Sequence, residues 1–405
     1  MRKKQAGILM VGVGGYADTY FPVIQKMQSQ GIAQLRAFFD PMAERARCWR
    51  ELQQLGIPRL TTLDHIADCG LDIDLAVVCS PIAYHAEQTC ALLEAGINVL
   101  CEKPMAATVS EARRMLEARD RSGCFLEIGY QWSFSPAIGQ LKADIMAGRL
   151  GAPRRLLTRV AWPRTDKYYN RNDWAGQVTD ARGHVVNDSP LANATAHFLH
   201  NMLYVLGPQK NTAGTPTVLT GECYRANRIG NFDATCCRIE TQEGCDILFY
   251  TAHCVEKVDG PAFRFIFDDA VVEFEALTGN IVARLSDGQE KNYGDPNLKR
   301  HCHLSQCVFG ILAEEGHQAT CGPESAMGHT LCVEGIQSVP VSVYPSDALE
   351  QKEMVAGERL TYVPGLNEVM REAFARQKLF GELGLPWAGS SRRVTLNPQP
   401  TQSCV

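Results

Sequence analysis

Along the first third of the chain, short apolar runs alternate with segments whose apolar residues recur at helical spacing. The runs at 6–11, 35–39, 75–79, 97–101 and 125–130 predict strands, and 20–30, 43–55, 83–95 and 109–121 between them predict helices. Apolar runs separated by helices are strands buried on both faces, so the alternation predicts a doubly wound parallel sheet. Beyond Gln131 the alternation stops. Strands predicted at 154–161, 217–225, 235–240, 246–252, 263–267 and 271–274 follow one another across short polar turns such as 241–244. That order predicts a mostly antiparallel, open-faced sheet, accompanied by helices at 191–206, 298–315, 323–339 and 368–383. The fold class is α/β followed by α+β. Residues 1–131 form the first domain, 132–385 the second, and 386–405, rich in Ser, Arg, Pro and Gln, an exposed tail.

The strand ends carry the chemistry. The first runs into Gly12-Val13-Gly14-Gly15-Tyr16-Ala17, a G-x-G-x-x-A turn that opens a helix. Gly12 permits the tight turn, Gly14 the approach of backbone to a pyrophosphate, and Ala17 close helix–strand packing. Such a turn between strand and helix is the dinucleotide fingerprint of a Rossmann domain, with the phosphates at the helix N-terminus. The second strand ends in Asp40, placed to accept from ribose hydroxyls and to repel a 2′-phosphate, which favours NAD over NADP. An Asp before a helix is also an ordinary cap. Ser80, Pro81 and His85 follow the third strand, where a nicotinamide ribose can lie. The fourth strand ends in Glu102-Lys103-Pro104, and Pro104 stops the ladder. A lysine there faces the crevice in which open α/β sheets bind ligands.

Composition narrows the partners. A 45% hydrophobic chain of 405 residues builds substantial cores, and a net charge of -5 leaves no basic footprint for nucleic acid. No apolar run reaches the ~20 residues that span a membrane. The 16 cysteines are scattered singly apart from Cys236-Cys237, without a CxxC pair, and no signal peptide is expected. A reducing cytoplasm with buried thiols is the expectation. His301, Cys302, His303 and Cys307 invite a metal reading but lack a second spaced ligand pair, so no metal is expected.

In the second domain, a helix from Leu191 puts Asn193, His197, His200 and Asn201 at i, i+4, i+7 and i+8, after Asp188. Four polar residues on one face without Lys or Glu predict a helix lining a cleft rather than a solvated face. Upstream, Trp162, Arg164, Lys167, Tyr168, Tyr169, Arg171, Asp173 and Trp174 interleave aromatic rings with guanidinium donors. Such a cluster suits a sugar, stacking its C–H face and holding its hydroxyls or a carboxylate, and suits a subunit contact as well.

Taken together, Gly12, Gly14, Gly15, Ala17, Asp40, Ser80-Pro81 with His85, and Glu102-Lys103-Pro104 resemble the Gfo/Idh/MocA oxidoreductases. The resemblance loosens through Gly129-Tyr130-Gln131 and fades after Gly207. It implies a nicotinamide-dependent dehydrogenase acting on a secondary hydroxyl of a sugar, polyol or sugar derivative, with Lys103 catalytic. It also implies cofactor contacts from Gly12, Gly14, Gly15, Tyr16, Ala17, Asp40, Ser80, Pro81, His85, Glu102 and Lys103. Substrate contacts fall to Tyr130, Gln131, Trp162, Arg164, Tyr169, Arg171, Trp174, Asp188, Asn193, His197 and His200. The family's helix carries Asp-x-x-x-His; His197 matches the histidine, but Asn193 stands at the aspartate. An amide takes up no proton, so the acceptor becomes His197, with an intrinsic pKa near ~6.5, or Lys103, or Asp188. Two other outcomes stay open: redox-neutral elimination or glycoside cleavage through a transient keto-sugar, and a nucleotide-dependent sensor without turnover. A homo-dimer or homo-tetramer through the second sheet is expected.

Overall fold

The computed structural model describes residues 5–298, 302–354 and 357–397. The chain divides into two compact units, residues 1–135 with 299–327 and residues 136–298 with 328–405.

In the first unit, β1 (Ala6–Val11), β2 (Ala33–Phe39), β3 (Arg59–Leu60), β4 (Leu75–Val78), β5 (Asn98–Cys101) and β6 (Leu126–Ile128) form one parallel sheet in the order β3-β2-β1-β4-β5-β6. Every residue of β1 and β4 is buried, as continuous apolar strands between helical layers require. Strand order reverses between β1 and β4, which places the ligand crevice at their carboxyl ends. The helices Phe21–Ser29, His85–Glu94 and Val109–Ser122 connect the strands. Thr108 and Glu111 close a capping box at the start of the last, and Gly123 ends it at a φ of 70°.

The helix Cys302–Leu312 also belongs to this unit, where Leu304, Cys307 and Val308 join the core of Ile8, Met10, Tyr20 and Phe38. The sequence places this helix with the second domain. Periodicity finds an apolar face, but not the core that receives it.

In the second unit a ten-stranded sheet comprises β7 (Pro153–Ala161), β8 (Pro216–Arg225), β9 (Ala234–Thr241), β10 (Asp246–Ala252), β11 (Asp259–Phe267), β12 (Ala270–Glu275), β13 (Ile281–Leu285), β14 (Glu290–Gly294), β15 (Val341–Val343) and β18 (Arg392–Thr395). Its order is β14-β13-β12-β11-β7-β10-β9-β8-β15, with β18 also on β8. The pairs β7–β10 and β8–β15 are parallel and the rest antiparallel. A separate ribbon pairs β16 (Glu350–Glu353) with β17 (Arg359–Tyr362). The helix Leu366–Arg376 with Phe380 and Trp387 packs onto Leu157, Tyr224, Leu248 and Tyr250 on one face. Farther out, that face is polar: Arg284 pairs with Glu273 and Glu290 across β12 to β14.

Two more expectations change. The tail is not wholly exposed, because β18 pairs with β8 and the side chain of Leu396 is buried against Gly335. The helix expected over 368–383 ends at Arg376, where Gln377 takes a left-handed φ of 57°.

Candidate active site

β1 enters its turn through Gly12, whose φ of 81° suits glycine. A Cβ there would stand 2.8 Å from the Ser80 amide nitrogen, so the turn lies directly against the chain leaving β4. At Gly14 a Cβ would meet nothing within 4 Å, which leaves an open cradle in front of the backbone. Tyr16 is exposed, Ala17 is buried, and the 3-10 turn Gly15–Thr19 leads into the helix Phe21–Ser29. Close packing at Gly12 beside open space at Gly14 fits a dinucleotide's phosphates. The Asp40 carboxylate accepts the Val13 amide at 2.9 Å and the Met42 amide at 2.7 Å, tying the end of β2 to the glycine turn. A carboxylate has lone pairs beyond these two, so ribose hydroxyls fit the same group.

β5 delivers Glu102 and Lys103 at its carboxyl end, and the Lys103–Pro104 peptide is cis. Glu102 is buried, and its Oε1 accepts from the Tyr20 hydroxyl while Oε2 accepts the Lys103 amide at 3.1 Å. The Tyr20 hydroxyl also meets Nε2 of His303, from the helix Cys302–Leu312. A hydroxyl that donates to the carboxylate must accept from the imidazole, which sets the proton on Nε2. Behind the carboxylate stands Gly129, where a Cβ would come 2.6 Å from Oε1. Burial raises the Glu102 pKa, opposed by the Lys103 charge and by the hydrogen bonds from Tyr20 and the Lys103 amide. Burial, and then Glu102, hold the Tyr20 phenol well above its ordinary value, so it stays a donor. Glu102 thus has a dry, close-fitted seat directly beneath the lysine backbone.

His85 completes the link between strand ends. Its Nδ1 lies 2.9 Å from the Pro104 carbonyl and its Nε2 2.9 Å from the Ser80 carbonyl. Burial lowers its pKa against the pull of both carbonyls. The sequence assigns His85 to the cofactor; the structure engages both its nitrogens with backbone, so it acts as a brace. Ser80 donates from Oγ to Gln88 at 2.6 Å, and Pro81 is exposed beside it.

In the second unit the predicted helix is two elements: a π-turn Pro190–Ala194 and the α-helix Ala196–Leu206, jointed at Thr195 with φ -112° and ψ 12°. Ser189 caps the turn on the Ala192 amide. Asn193 and His197 therefore do not share a face by simple i, i+4 geometry. Asp188 is buried, with Oδ2 accepting the Gly176 amide at 2.6 Å and Oδ1 accepting from Asn193 Nδ2 at 2.8 Å. That bond fixes the amide's orientation, with its nitrogen toward the carboxylate. Every residue of the α-helix is buried, so its polar side chains are not a surface stripe. His200 is fully buried, its ring stacked on Tyr204 at 5.9 Å. Burial, with His329 and Lys142 nearby, drives its pKa well down. Tyr130, in the first unit, is likewise wholly inside, its pKa raised by burial. Neither has a side chain at a surface. Gln131 begins a 3-10 turn, and among the described residues its buried Oε1 has no hydrogen bond.

The aromatic and basic cluster does assemble. Arg171 Cζ lies 3.7 Å from the Tyr168 ring centroid and 5.2 Å from that of Trp174. Arg164 Cζ lies 4.9 Å from the Tyr168 ring and 5.9 Å from that of Trp162. Trp162 meets Phe198 edge-on at 5.5 Å, next in sequence to His197. Tyr169 is half-buried, its pKa raised first by burial and then by Asp233. His253 donates from Nδ1 to the Trp162 carbonyl at 2.8 Å, and its ring faces Tyr168 at 5.7 Å.

The sequence missed Tyr20, His303, Gly129 and His253. Only Gly129, a glycine leaving a strand, carried a signal of close approach. Cys302, His303 and Cys307 serve other ends: Cys302 Sγ contacts the Phe134 carbonyl at 3.3 Å, and Cys307 lies in the core. His301 is outside the described residues, and among those described no group of three or more His, Cys, Asp or Glu is placed to hold a metal. No helix among them is long and apolar enough to cross a membrane.

Comparison with known proteins agrees with this geometry. Residues 6–130 match the profile of the Gfo/Idh/MocA family, described as an oxidoreductase family with an NAD-binding Rossmann fold. The chain is 28% identical to the rhizopine catabolism protein MocA of Rhizobium meliloti over 35% of this chain and 43% of that one. It is 32% identical to D-glucoside 3-dehydrogenase of Escherichia coli over 33% of this chain and 36% of that one. Each match thus spans less than half the length of the curated relative. Among solved structures, the WlbA dehydrogenase from Chromobactrium violaceum, in complex with NADH and UDP-GlcNAcA, superposes with a TM-score of 0.67 at 15% identity, over 99% of this chain and 98% of that one. The aldose-aldose oxidoreductase of Caulobacter crescentus gives 0.62 at 21% identity, over 82% and 97%. These likenesses establish the fold. Residues 6–130 thus carry the likeness to the Gfo/Idh/MocA oxidoreductase family, in its NAD-binding Rossmann domain.

Proposed function

We propose that the protein is an NAD-dependent dehydrogenase that oxidises a secondary hydroxyl of a sugar, polyol or sugar derivative to a ketone. The observation that carries this reading is the contact line across three strand ends. Gly12 touches Ser80, and His85 bridges the Ser80 and Pro104 carbonyls, so Lys103 is braced against the cofactor turn. Bound nicotinamide supplies the acceptor for the hydrogen and electron pair of the carbinol C–H. Lys103 holds its ammonium at the carbinol oxygen, favouring the oxyanion form of the alcohol. Glu102 holds the Lys103 backbone and places a carboxylate close to that cation. His197 is the proton acceptor in this reading, because Asn193 cannot be one and the buried Asp188 already serves to hold the Gly176 amide and the Asn193 side chain. The Asp188–Asn193 pair then orients substrate in place of an ionisable residue.

NAD rather than NADP follows from charge. Asp40 stands at the end of β2, Arg59 is engaged by Glu44 and by the Asp40 and Pro41 carbonyls, and Arg47 faces Asp18. The test is a panel of polyols, aldoses and sugar acids with NAD and with NADP, following the reduced-cofactor absorbance band. Reduced NAD accumulating with one class of substrate supports the reading. Product formed without net reduction, or no turnover across the panel, contradicts it.

A further inference from the structure

Most arginines of the second unit are neutralised: Arg154 by Asp268, Arg238 by Glu382, Arg284 by Glu273 and Glu290. Arg164 and Arg171 are not. Their side-chain hydrogen bonds reach the Pro163 carbonyl at 3.4 Å and the Tyr168 carbonyl at 2.5 Å, Arg171 also bonds the Tyr168 hydroxyl, and among the described residues the buried Nε of Arg164 has none. Neither forms an ion pair among the described residues, although Asp188 and Asp173 lie on the same loops. Asp188 is turned onto Gly176 and Asn193.

Both guanidiniums rest against the Tyr168 ring. Stacking engages the flat face of a guanidinium and leaves its N–H edge for a planar anion, and it fixes the group without a carboxylate that would compete. The histidine beside them is neutral: burial, and then the charges of Arg164 and Arg171, push the His253 pKa down to about 3. Unpaired positive charge is thus preorganised beside Trp162, Phe198 and the start of the helix bearing His197.

The geometry points to a binding site for an anionic group, a carboxylate or a phosphate, on the substrate of this protein, with Arg164 and Arg171 as its ligands. This rests on the dehydrogenase reading only for the word substrate; the anion site stands on its own contacts.

The test uses the full-length protein and intrinsic tryptophan fluorescence, because Trp162 and Trp174 border the site. Titrants are D-glucuronate, D-glucose 1-phosphate, D-glucose and inorganic phosphate. The two anionic sugars are expected to bind at least about tenfold more tightly than glucose, as two charge-assisted contacts allow. The preference should shrink with added salt. The tighter of the two identifies carboxylate or phosphate as the group recognised. In R171Q, at an exposed position, and in R164Q the preference should fall towards unity, with R171K retaining part of it. Equal binding of charged and neutral sugars, no binding of either anionic sugar, or a preference untouched by R171Q overturns the inference. Anionic sugars that bind but reduce no cofactor leave the site standing and remove the dehydrogenase reading. Glucose and glucuronate oxidised equally well do the reverse.

Discussion

Two polar clusters in this protein balance charge in opposite ways. Around Glu102 the network is closed: Tyr20 donates to the carboxylate, His303 backs Tyr20, the Lys103 amide takes the second oxygen, and Gly129 leaves no space behind. Around Tyr168 it is open, with two guanidiniums against the ring and no ion pair to either among the described residues. A closed buried network gains nothing from a ligand and holds a neighbour in place, whereas an open one exchanges water for a partner. In the proposed reading, the difference separates residues that position chemistry from residues that recognise substrate.

The largest effect expected from a closed cluster is at Asp144, away from either site, where Lys291, Tyr293 and Arg149 converge on a buried carboxylate. Asp144→Asn should cost about 2 kcal/mol, because the carboxylate is buried while Arg149 and Lys291 stay partly exposed. Its pKa is lowered: burial opposes this, and the hydrogen bonds from Lys291, Tyr293 and Arg149 prevail. The contribution is therefore present above the unfolded carboxyl value near ~3.9 and lost as pH falls through the folded one. Urea unfolding at neutral and acid pH should show wild type and variant converging in acid, with cofactor affinity unchanged at neutral pH.

At the Glu102 seat, Gly129→Ala forces a methyl against Oε1. A stability loss of about 1–3 kcal/mol is expected from overpacking. Turnover should fall about tenfold or more through misplaced Lys103, with cofactor binding kept. Normal turnover would show that the carboxylate's position does not matter.

A smaller and more specific effect belongs to Tyr20→Phe. It removes a bond that holds the Glu102 pKa down, so a value already raised by burial rises further. Because the folded pKa is raised, the stability from Glu102 is full below the unfolded value near ~4.3 and declines as pH climbs through the folded value. In the variant that decline extends to higher pH, and the acid limb of the kcat profile moves up with it. An unmoved limb would detach Glu102 from catalysis.

The first cluster was half legible. Glu102-Lys103-Pro104 and the glycine turn are local motifs, each readable because one short turn makes the whole device. Tyr20 and His303 were not, since the bond joining them crosses 283 positions. In the second unit the aromatic and arginine loop was readable as a composition. That Arg164 and Arg171 form no ion pair among the described residues was not, because only the fold shows where Asp188 turns. The π-turn hid behind a helix-like pattern from Leu191, and burial of the helix Ala196–Leu206 on all sides made His200 interior rather than cleft-lining.

The central claim is that Lys103 is the catalytic cation of an NAD-dependent dehydrogenase. Its most direct test follows the reduced-cofactor band for wild type and Lys103→Ala, with the best substrate of the panel and cofactor affinity measured in parallel. Turnover at least about a thousandfold lower, with NAD affinity within about threefold of wild type, is the outcome predicted for loss of a group acting at the reacting oxygen. Turnover retained in Lys103→Ala contradicts it.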